Sequence, residues 1–191
     1  VAAVIIIPVT FYLSHGFVRK THIAIIGTLI ALTITAILAT VFSNLTMLTG
    51  FASEEATFLQ ADKGQLINIK GLLLAGIIIG VLGILDDVTI SQAALVKELH
   101  LANPQLSSKK LYQKAMNVGT DHIASMINTL VLVYTGAAMP LLLLFLNTPK
   151  PFTEIINYEI VAVEIVRMLV GSIGLVLAVP ITTILAVMKR K

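Results

Sequence analysis

Two adjacent aspartates, Asp86 and Asp87, interrupt the long apolar run KGLLLAGIIIGVLGILDDVTISQAALV. Lipid offers no water to solvate a carboxylate, so ionisable side chains at membrane depth normally face other helices and carry function. Counting the helical rise from the end of the run places both aspartates about 15 Å inside it. Burial favours the neutral form of a carboxyl group. The pair therefore predicts a group that takes up and releases protons.

Helical spacing separates the two aspartates. Asp87 continues a stripe of small residues at steps of three or four, which consists of Gly76, Gly80, Gly83 and Ser91. Small residues at GxxxG spacing let a second helix backbone approach closely. We therefore expect Asp87 on a closely packed face and Asp86 about 100° away, on another surface or a water pocket.

The next apolar run presents a polar face made of Asp121, Ser125 and Asn128. Counted from the same end of the bundle, Asn128 lies level with the aspartates, which makes it the expected neighbour of Asp87. Hydrogen bonds that only hold helices together are the commoner role of such polar side chains. Both interpretations of this face stay open.

The last apolar run carries Glu164 and Arg167 on the same face as the small residues Gly171 and Gly174. A pair at i, i+3 meets on the surface of a helix, so Arg167 is expected to bind Glu164. A direct ion pair between Arg167 and Asp86 would need a shift of more than about 10 Å along the helices, and is not expected.

The composition indicates that these side chains lie on transmembrane helices. The 191 residues are 57% hydrophobic and 12% charged, whereas soluble domains carry about 25% charged residues. The sequence predicts an all-α polytopic transmembrane helix bundle in one domain, with five spans. Val1 opens inside an apolar run with no basic segment before it, so we expect the C-terminal part of a longer protein. The predicted spans are 1–14, 23–42, 69–95, 120–146 and 159–187.

Loop charges predict the orientation of the spans. Basic segments follow the first span, the third span and the last span, whereas the second loop carries Glu54 and Glu55. By the positive-inside rule the C-terminus is cytoplasmic. Lys110 and Lys191 are then inside, and Glu55 and Lys150 are outside. In the third loop, Ser107 or Ser108 is a plausible N-cap for a short amphipathic helix over 108–116, expected on the cytoplasmic membrane surface.

The same features exclude other functions. The chain has no Cys, and it offers no supported nucleophile or phosphate-binding loop, so we expect neither an enzyme nor a bound cofactor. The four histidines, His15, His22, His100 and His122, are scattered without metal-ligand spacing, and a metal site is the less favoured interpretation. The net charge of +3 is explained by cytoplasmic loops rather than by nucleic-acid binding.

Four stretches in the right order resemble the YibE/F family of bacterial polytopic membrane proteins: HGFVRKTHIAIIGT, KGLLLAGIIIGVLGILDDVTISQA, NVGTDHIASMINTLVLVYTGAAMPLLLL and EIVRMLVGSIGLVLAVPITT. The resemblance covers nearly the whole chain and implies a multi-pass protein of the bacterial plasma membrane. The family supplies no established activity.

A weaker resemblance links GILDDVTISQAALVKELHLANPQLSSKKLYQKAM to half of a resistance-nodulation-division permease or to the SecD/SecF export proteins. It implies that Asp86 and Asp87 belong to a proton path. We therefore expect a proton-linked transport or export module in the lipid bilayer, acting on a small molecule, an ion or an exported cargo. A second copy or a membrane partner is left open. The alternative is a non-transporting scaffold or regulator that binds a partner through its cytoplasmic loop.

Overall fold

The computed structural model describes residues 2–63, 67–146 and 149–189. Val1 and the predicted cytoplasmic Lys191 lie outside these ranges. The described residues form helices and connecting segments, without strands. The helices are α1 Ala2–His15, α2 Arg19–Leu45, α3 Glu54–Lys63, α4 Ile69–Ala102, α5 Ser108–Ala137, α6 Met139–Leu146, α7 Phe152–Ile155 and α8 Glu159–Met188.

Helices α2, α4 and α8 pack against one another and form the centre of the bundle. A Cβ atom added to Gly27 would meet Thr182, and one added to Gly174 would meet Thr35, so α2 and α8 run in opposite directions. Helix α4 runs parallel to α8, because Val81 lies beside Gly171 and, further along both helices, Gln92 donates a hydrogen bond to Thr183.

One face of α4 supplies most of its packing. Its buried residues follow one another at steps of three or four and are mostly β-branched or leucine: Ile77, Val81, Leu85, Val88, Gln92 and Val96. Each large side chain that leaves lipid for a protein neighbour gains van der Waals contacts, which drive helix association in a membrane. This face therefore fixes the rotation of α4 and decides where its other side chains point.

The basic segments meet at one end of the bundle. Arg19 and Lys20 begin α2, Lys97 lies near the end of α4, and Lys189 follows α8; these side chains line a common groove. At the opposite end, the carboxylate of Glu159 accepts hydrogen bonds from Thr49. The basic loops thus share one side of the bundle, as the alternation of loop charges predicted. Which side faces the cytoplasm stays a prediction.

The predicted surface helix over 108–116 does not form a separate element. Its residues are the first turns of α5, which is continuous from Ser108 to Ala137. Ser107 is the N-cap and accepts a hydrogen bond from the Lys110 amide. The apolar side of this segment packs inside the chain, because Leu111 and Ala115 are fully buried.

Helix α5 ends at Ala137, and the chain turns by 61° into α6. Pro140 explains the break, because proline has no amide hydrogen and its ring clashes with the carbonyl one turn earlier. The predicted span over 120–146 is therefore bent. In the loop that carries Glu54 and Glu55, residues Glu54–Lys63 form the additional helix α3.

Within the described residues, three helices are long and apolar enough to cross a membrane, α2, α4 and α8, or four if the bent pair of α5 and α6 is one span. Helix α1 has 14 residues, which is about 21 Å and shorter than the roughly 30 Å of a bilayer core. The predicted count of five spans is not confirmed. Large apolar side chains nevertheless cover the outside, such as Ile79, which is 68% exposed, as expected of a membrane protein.

Candidate functional site

A small polar cavity of about 150 Å³ lies between α1 and α4, and both aspartates line it. Helix α4 contributes Asp86 and Asp87, and α1 contributes Thr10, Ser14 and His15. Thr10 and Ser14 lie about one helical turn apart, and His15 follows Ser14 at the end of α1. The cavity therefore places two carboxyl groups, an imidazole and two hydroxyl groups around one space.

The two aspartates have different surroundings. Asp86 is half-buried, and its Oδ1 atom is buried without a hydrogen-bond partner in the described part of the chain. Asp87 is exposed. A buried oxygen without a partner is costly for an ionised carboxylate. An ionised Asp86 therefore carries a desolvation cost that the exposed Asp87 avoids.

Asp87 does not lie on a closely packed face. A Cβ atom added to Gly76 or Gly83 would have no described neighbour within 4 Å, and Ser91 on the same stripe is exposed. The prediction of close packing along this stripe is wrong within the described chain. The reason is the aliphatic face of α4, which points inward and turns the small residues outward.

Gly80 is the exception on this stripe. A Cβ atom there would lie 3.0 Å from the Tyr134 hydroxyl oxygen of α5. This contact comes from a side chain and not from a closely approaching backbone. Gly80 therefore leaves room for an aromatic ring at the edge of the groove between α4 and α5.

The predicted polar face of α5 also points away from the bundle. Asp121, Ser125 and Asn128 are exposed, whereas Gly119 packs against Val179 and Gln92. Asn128 was therefore wrong as the expected neighbour of Asp87. The apolar and small residues of α5 occupy its contact with α8, and Asn128 lies about 180° around the helix from Gly119.

On α8, the predicted pairing of Arg167 with Glu164 is confirmed. The Arg167 Nη1 atom donates to both carboxylate oxygens, at 2.9 and 3.2 Å, and the guanidinium lies 5.7 Å from the centre of the Tyr134 ring. The described residues contain no ion pair between Arg167 and Asp86, as expected. The charged pair is thus neutralised locally and is separate from the cavity between α1 and α4.

The small residues of α8, in contrast, are packed as predicted. Gly171 is buried beside Leu130 of α5, at 3.1 Å from the position of an added Cβ atom. Gly174 is buried beside the Thr35 side chain, at 2.6 Å. These glycines let α2 and α5 approach α8.

Buried polar contacts that were not predicted from the sequence join the helices. Gln92 donates from Nε2 to the Thr183 hydroxyl at 2.7 Å and to the Ala115 carbonyl at 3.1 Å, which links α4, α8 and α5. Thr28 and Thr89 share a hydrogen bond of 2.6 Å between α2 and α4. A signal was present, since Thr21, Thr28 and Thr35 recur every seven residues in α2 and are fully buried.

No group of three or more His, Asp or Glu side chains that could hold a metal ion occurs in the described residues. The histidines lie in different parts of the structure. His15 lines the cavity with the aspartates, His22 contacts the Val18 carbonyl, and His100 lies at the basic end of the bundle. Of the four, His15 is the one that joins the candidate site.

Long apolar helices, an apolar outer surface and a polar cavity between two of the helices define a helical membrane protein. A family model described as YibE/F-like protein matches residues 1–191, and the chain belongs to this family. The predicted resemblance is thereby confirmed over the whole chain. No curated protein and no solved structure matches the chain.

Proposed function

We propose that this chain is a membrane module of a proton-linked transport or export protein, and that it exchanges protons at the cavity between α1 and α4. The observation that carries the proposal is the placement of Asp86 and Asp87 with His15 around one space of about 150 Å³. Such a volume is large enough for a few water molecules. Carboxyl and imidazole groups joined by water form the usual elements of a proton relay in membranes.

Asp86 is the principal proton carrier in this proposal. Its half-buried carboxyl group has an oxygen without a partner, so a bound proton removes the cost of that isolated charge. The exposed Asp87 and His15 then exchange the proton with water. The aspartates lie on α4, which packs against both α2 and α8, so a change at this cavity acts directly on the central helices.

The same proposal includes location and orientation. The chain resides in the bacterial plasma membrane as a multi-pass protein, with the basic end of the bundle in the cytoplasm. Support comes from the shared position of Arg19, Lys97 and Lys189 at one end, because cytoplasmic loops carry an excess of basic residues. Single-cysteine labelling at positions 110, 55 and 150 tests it, since the chain has no native Cys. Labelling of position 110 from outside would contradict it.

Proton movement in proteoliposomes tests the function. The purified protein is reconstituted, a pH gradient is imposed, and a trapped pH-sensitive dye reports the flux. We expect Asp86→Asn to reduce the flux to that of empty vesicles, because an amide keeps the shape of the protonated acid but releases no proton. Asp87→Asn and His15→Gln are expected to slow the flux. The matched control is Asp121→Asn, which removes an exposed carboxylate from α5.

A second measurement does not depend on the unknown cargo. A lipid-soluble carbodiimide reacts with protonated carboxyl groups in apolar surroundings, and mass spectrometry identifies the modified residue. We expect modification of Asp86 that decreases as the pH rises, with little modification of Asp121. Wild-type flux in the Asp86→Asn, Asp87→Asn double variant, or absence of modification at both aspartates, would overturn the proposal.

The rival proposal is a non-transporting scaffold that binds a partner. The open stripe of Gly76 and Gly83 on α4 favours it, because a second helix has room to approach there. The cytoplasmic segment over 108–116 supports it less, since Leu111 and Ala115 are buried within the chain. Loss of partner binding on Gly83→Leu, with unchanged proton flux in the aspartate variants, would favour the scaffold.

A further inference from the structure

A second cavity lies at the basic end of the bundle, where α2 begins and where α4 and α8 end. Its volume is about 210 Å³. Cationic side chains come from α2, from α4 and from the residue that follows α8, and the lining contains no acidic side chain among the described residues. The cationic lining consists of Arg19, Lys20, Lys97 and Lys189, with His100 beside them.

The interior of this groove is apolar. Ala93, Val96 and Ala186 form its floor and are 2–3% exposed. Ile23 and Leu101 line its walls. The groove therefore combines a cationic rim with a hydrocarbon-like base, an arrangement that suits a molecule with an anionic head and an apolar tail.

The position of the groove favours a lipid over a soluble anion as its ligand. The rim lies at the ends of helices that are long enough to cross a membrane, which is the level of lipid headgroups. A free phosphate gains nothing from the apolar floor, whereas an acyl chain buries its surface there. Basic pockets between transmembrane helices on the cytoplasmic side are known to hold anionic headgroups.

We propose that this groove is a binding site for one anionic phospholipid such as phosphatidylglycerol. The phosphodiester group lies between Arg19 on α2 and Lys97 on α4, and Lys189, which follows α8, completes the cationic rim. The planar Arg19 guanidinium can donate two hydrogen bonds to one phosphate. The lipid bridges three central helices, so its binding stabilises their arrangement.

Native mass spectrometry of the purified protein in detergent tests the site. Phosphatidylglycerol and phosphatidylcholine with identical acyl chains are added in turn, and we expect one retained phosphatidylglycerol and no retained phosphatidylcholine. Glycerophosphoglycerol, which is the headgroup without acyl chains, is expected not to displace the bound lipid. The variant Leu101→Ser keeps every charge and is expected to weaken retention, because it removes apolar surface from the wall.

Charge variants locate the headgroup. We expect Arg19→Gln with Lys97→Gln to weaken phosphatidylglycerol binding about fivefold for each charge removed. The matched control is Lys110→Gln with Lys114→Gln, which removes two lysines of α5 that do not line the groove. If the first pair impairs folding, as judged by size-exclusion chromatography, Lys20→Gln with Lys189→Gln replaces it.

Three outcomes would overturn the proposal. Equal retention of phosphatidylcholine would mean that headgroup charge is not recognised. Displacement by glycerophosphoglycerol at lipid concentration would indicate a site for soluble phosphate compounds. Equal weakening by the groove pair and the control pair would indicate attraction by overall surface charge only.

Discussion

Helices α4 and α8 carry similar stripes of small residues, but Gly171 and Gly174 of α8 are packed, whereas Gly76 and Gly83 of α4 are open. Gly174 faces Thr35 at a distance that leaves no room for a Cβ atom, whereas Gly76 faces no described atom within 4 Å. Both stripes satisfy the spacing that permits close helix contact. Glycine spacing therefore permits a close approach but does not decide whether a partner is present.

The difference arises from what lies on the opposite face of each helix. On α4 that face carries large aliphatic residues such as Ile77, Val81 and Leu85, all of which are fully buried. On α8 the small residues share the buried face with Val170 and Leu175. A helix surrounded by several neighbours buries the face with the most contact area, and only α8 has its glycines on that face.

Substitution of a packed glycine on α8 is expected to cause the largest loss of stability. Gly174→Leu forces a side chain against Thr35 and should destabilise the protein by about 3 kcal/mol or more, at the upper end for overpacking. Gly76→Leu should leave the unfolding temperature of the purified protein in detergent unchanged. Equal losses for both variants would mean that another chain or segment covers the stripe of α4.

A substitution on the buried face of α4 is expected to have an intermediate effect on stability. Gln92→Leu removes donors to Thr183 and Ala115 and should destabilise the protein by about 1 kcal/mol, the usual value of a hydrogen bond between membrane helices. The control Ser91→Leu changes the exposed neighbour and should have little effect. Chemical unfolding in mixed micelles measures both. A greater loss with Ser91→Leu would reverse the assignment of the faces.

Gly80→Ala should destabilise the protein less than Gly174→Leu or Gln92→Leu. The added Cβ atom lies 3.0 Å from the Tyr134 hydroxyl oxygen, so the ring must move by a few tenths of an ångström. We expect a loss below about 1 kcal/mol, together with a change in tyrosine fluorescence, because the Tyr134 ring also contacts Arg167. Ile78→Val at a neighbouring position is the control. Unchanged fluorescence would show that Tyr134 does not contact this stripe in solution.

The smallest effect concerns the exposed ion pair between Lys150, which precedes α7, and Glu154 within α7. The Lys150 ammonium donates a hydrogen bond to Glu154 and holds the pKa of that carboxyl group below its usual value. A lowered pKa in the folded state means that the stabilisation exists above the ordinary pKa and is lost as the pH falls through the folded value. Lys150→Gln should raise the Glu154 pKa, measured by carboxyl NMR titration, without changing the overall stability. An unchanged pKa would contradict the pairing.

Part of the candidate site was predictable. Asp86 and Asp87 stand out because charged residues are rare in apolar runs, and the pairing of Arg167 with Glu164 follows from their spacing within one helix. The cavity partner His15 was not predictable. It lies 71 positions before Asp86 in the chain, and no helical repeat relates α1 to α4.

Features that are local along the chain follow from the sequence alone. It specified the apolar helices, a serine cap at position 107 or 108 and the alternation of loop charge, because these depend on residue type, on helical periodicity and on the cost of burying charge. It also supplied the blocks that identify the family.

The rotation of each helix and the choice of its neighbours depend on how the helices pack together. Asn128 points outward and Gln92 inward, although both are amides on apolar helices. In lipid, polar and small residues on several faces offer comparable contacts, and the competition is settled by the combined packing of all helices. That packing is a property of the whole bundle and cannot be read from the periodicity of one segment.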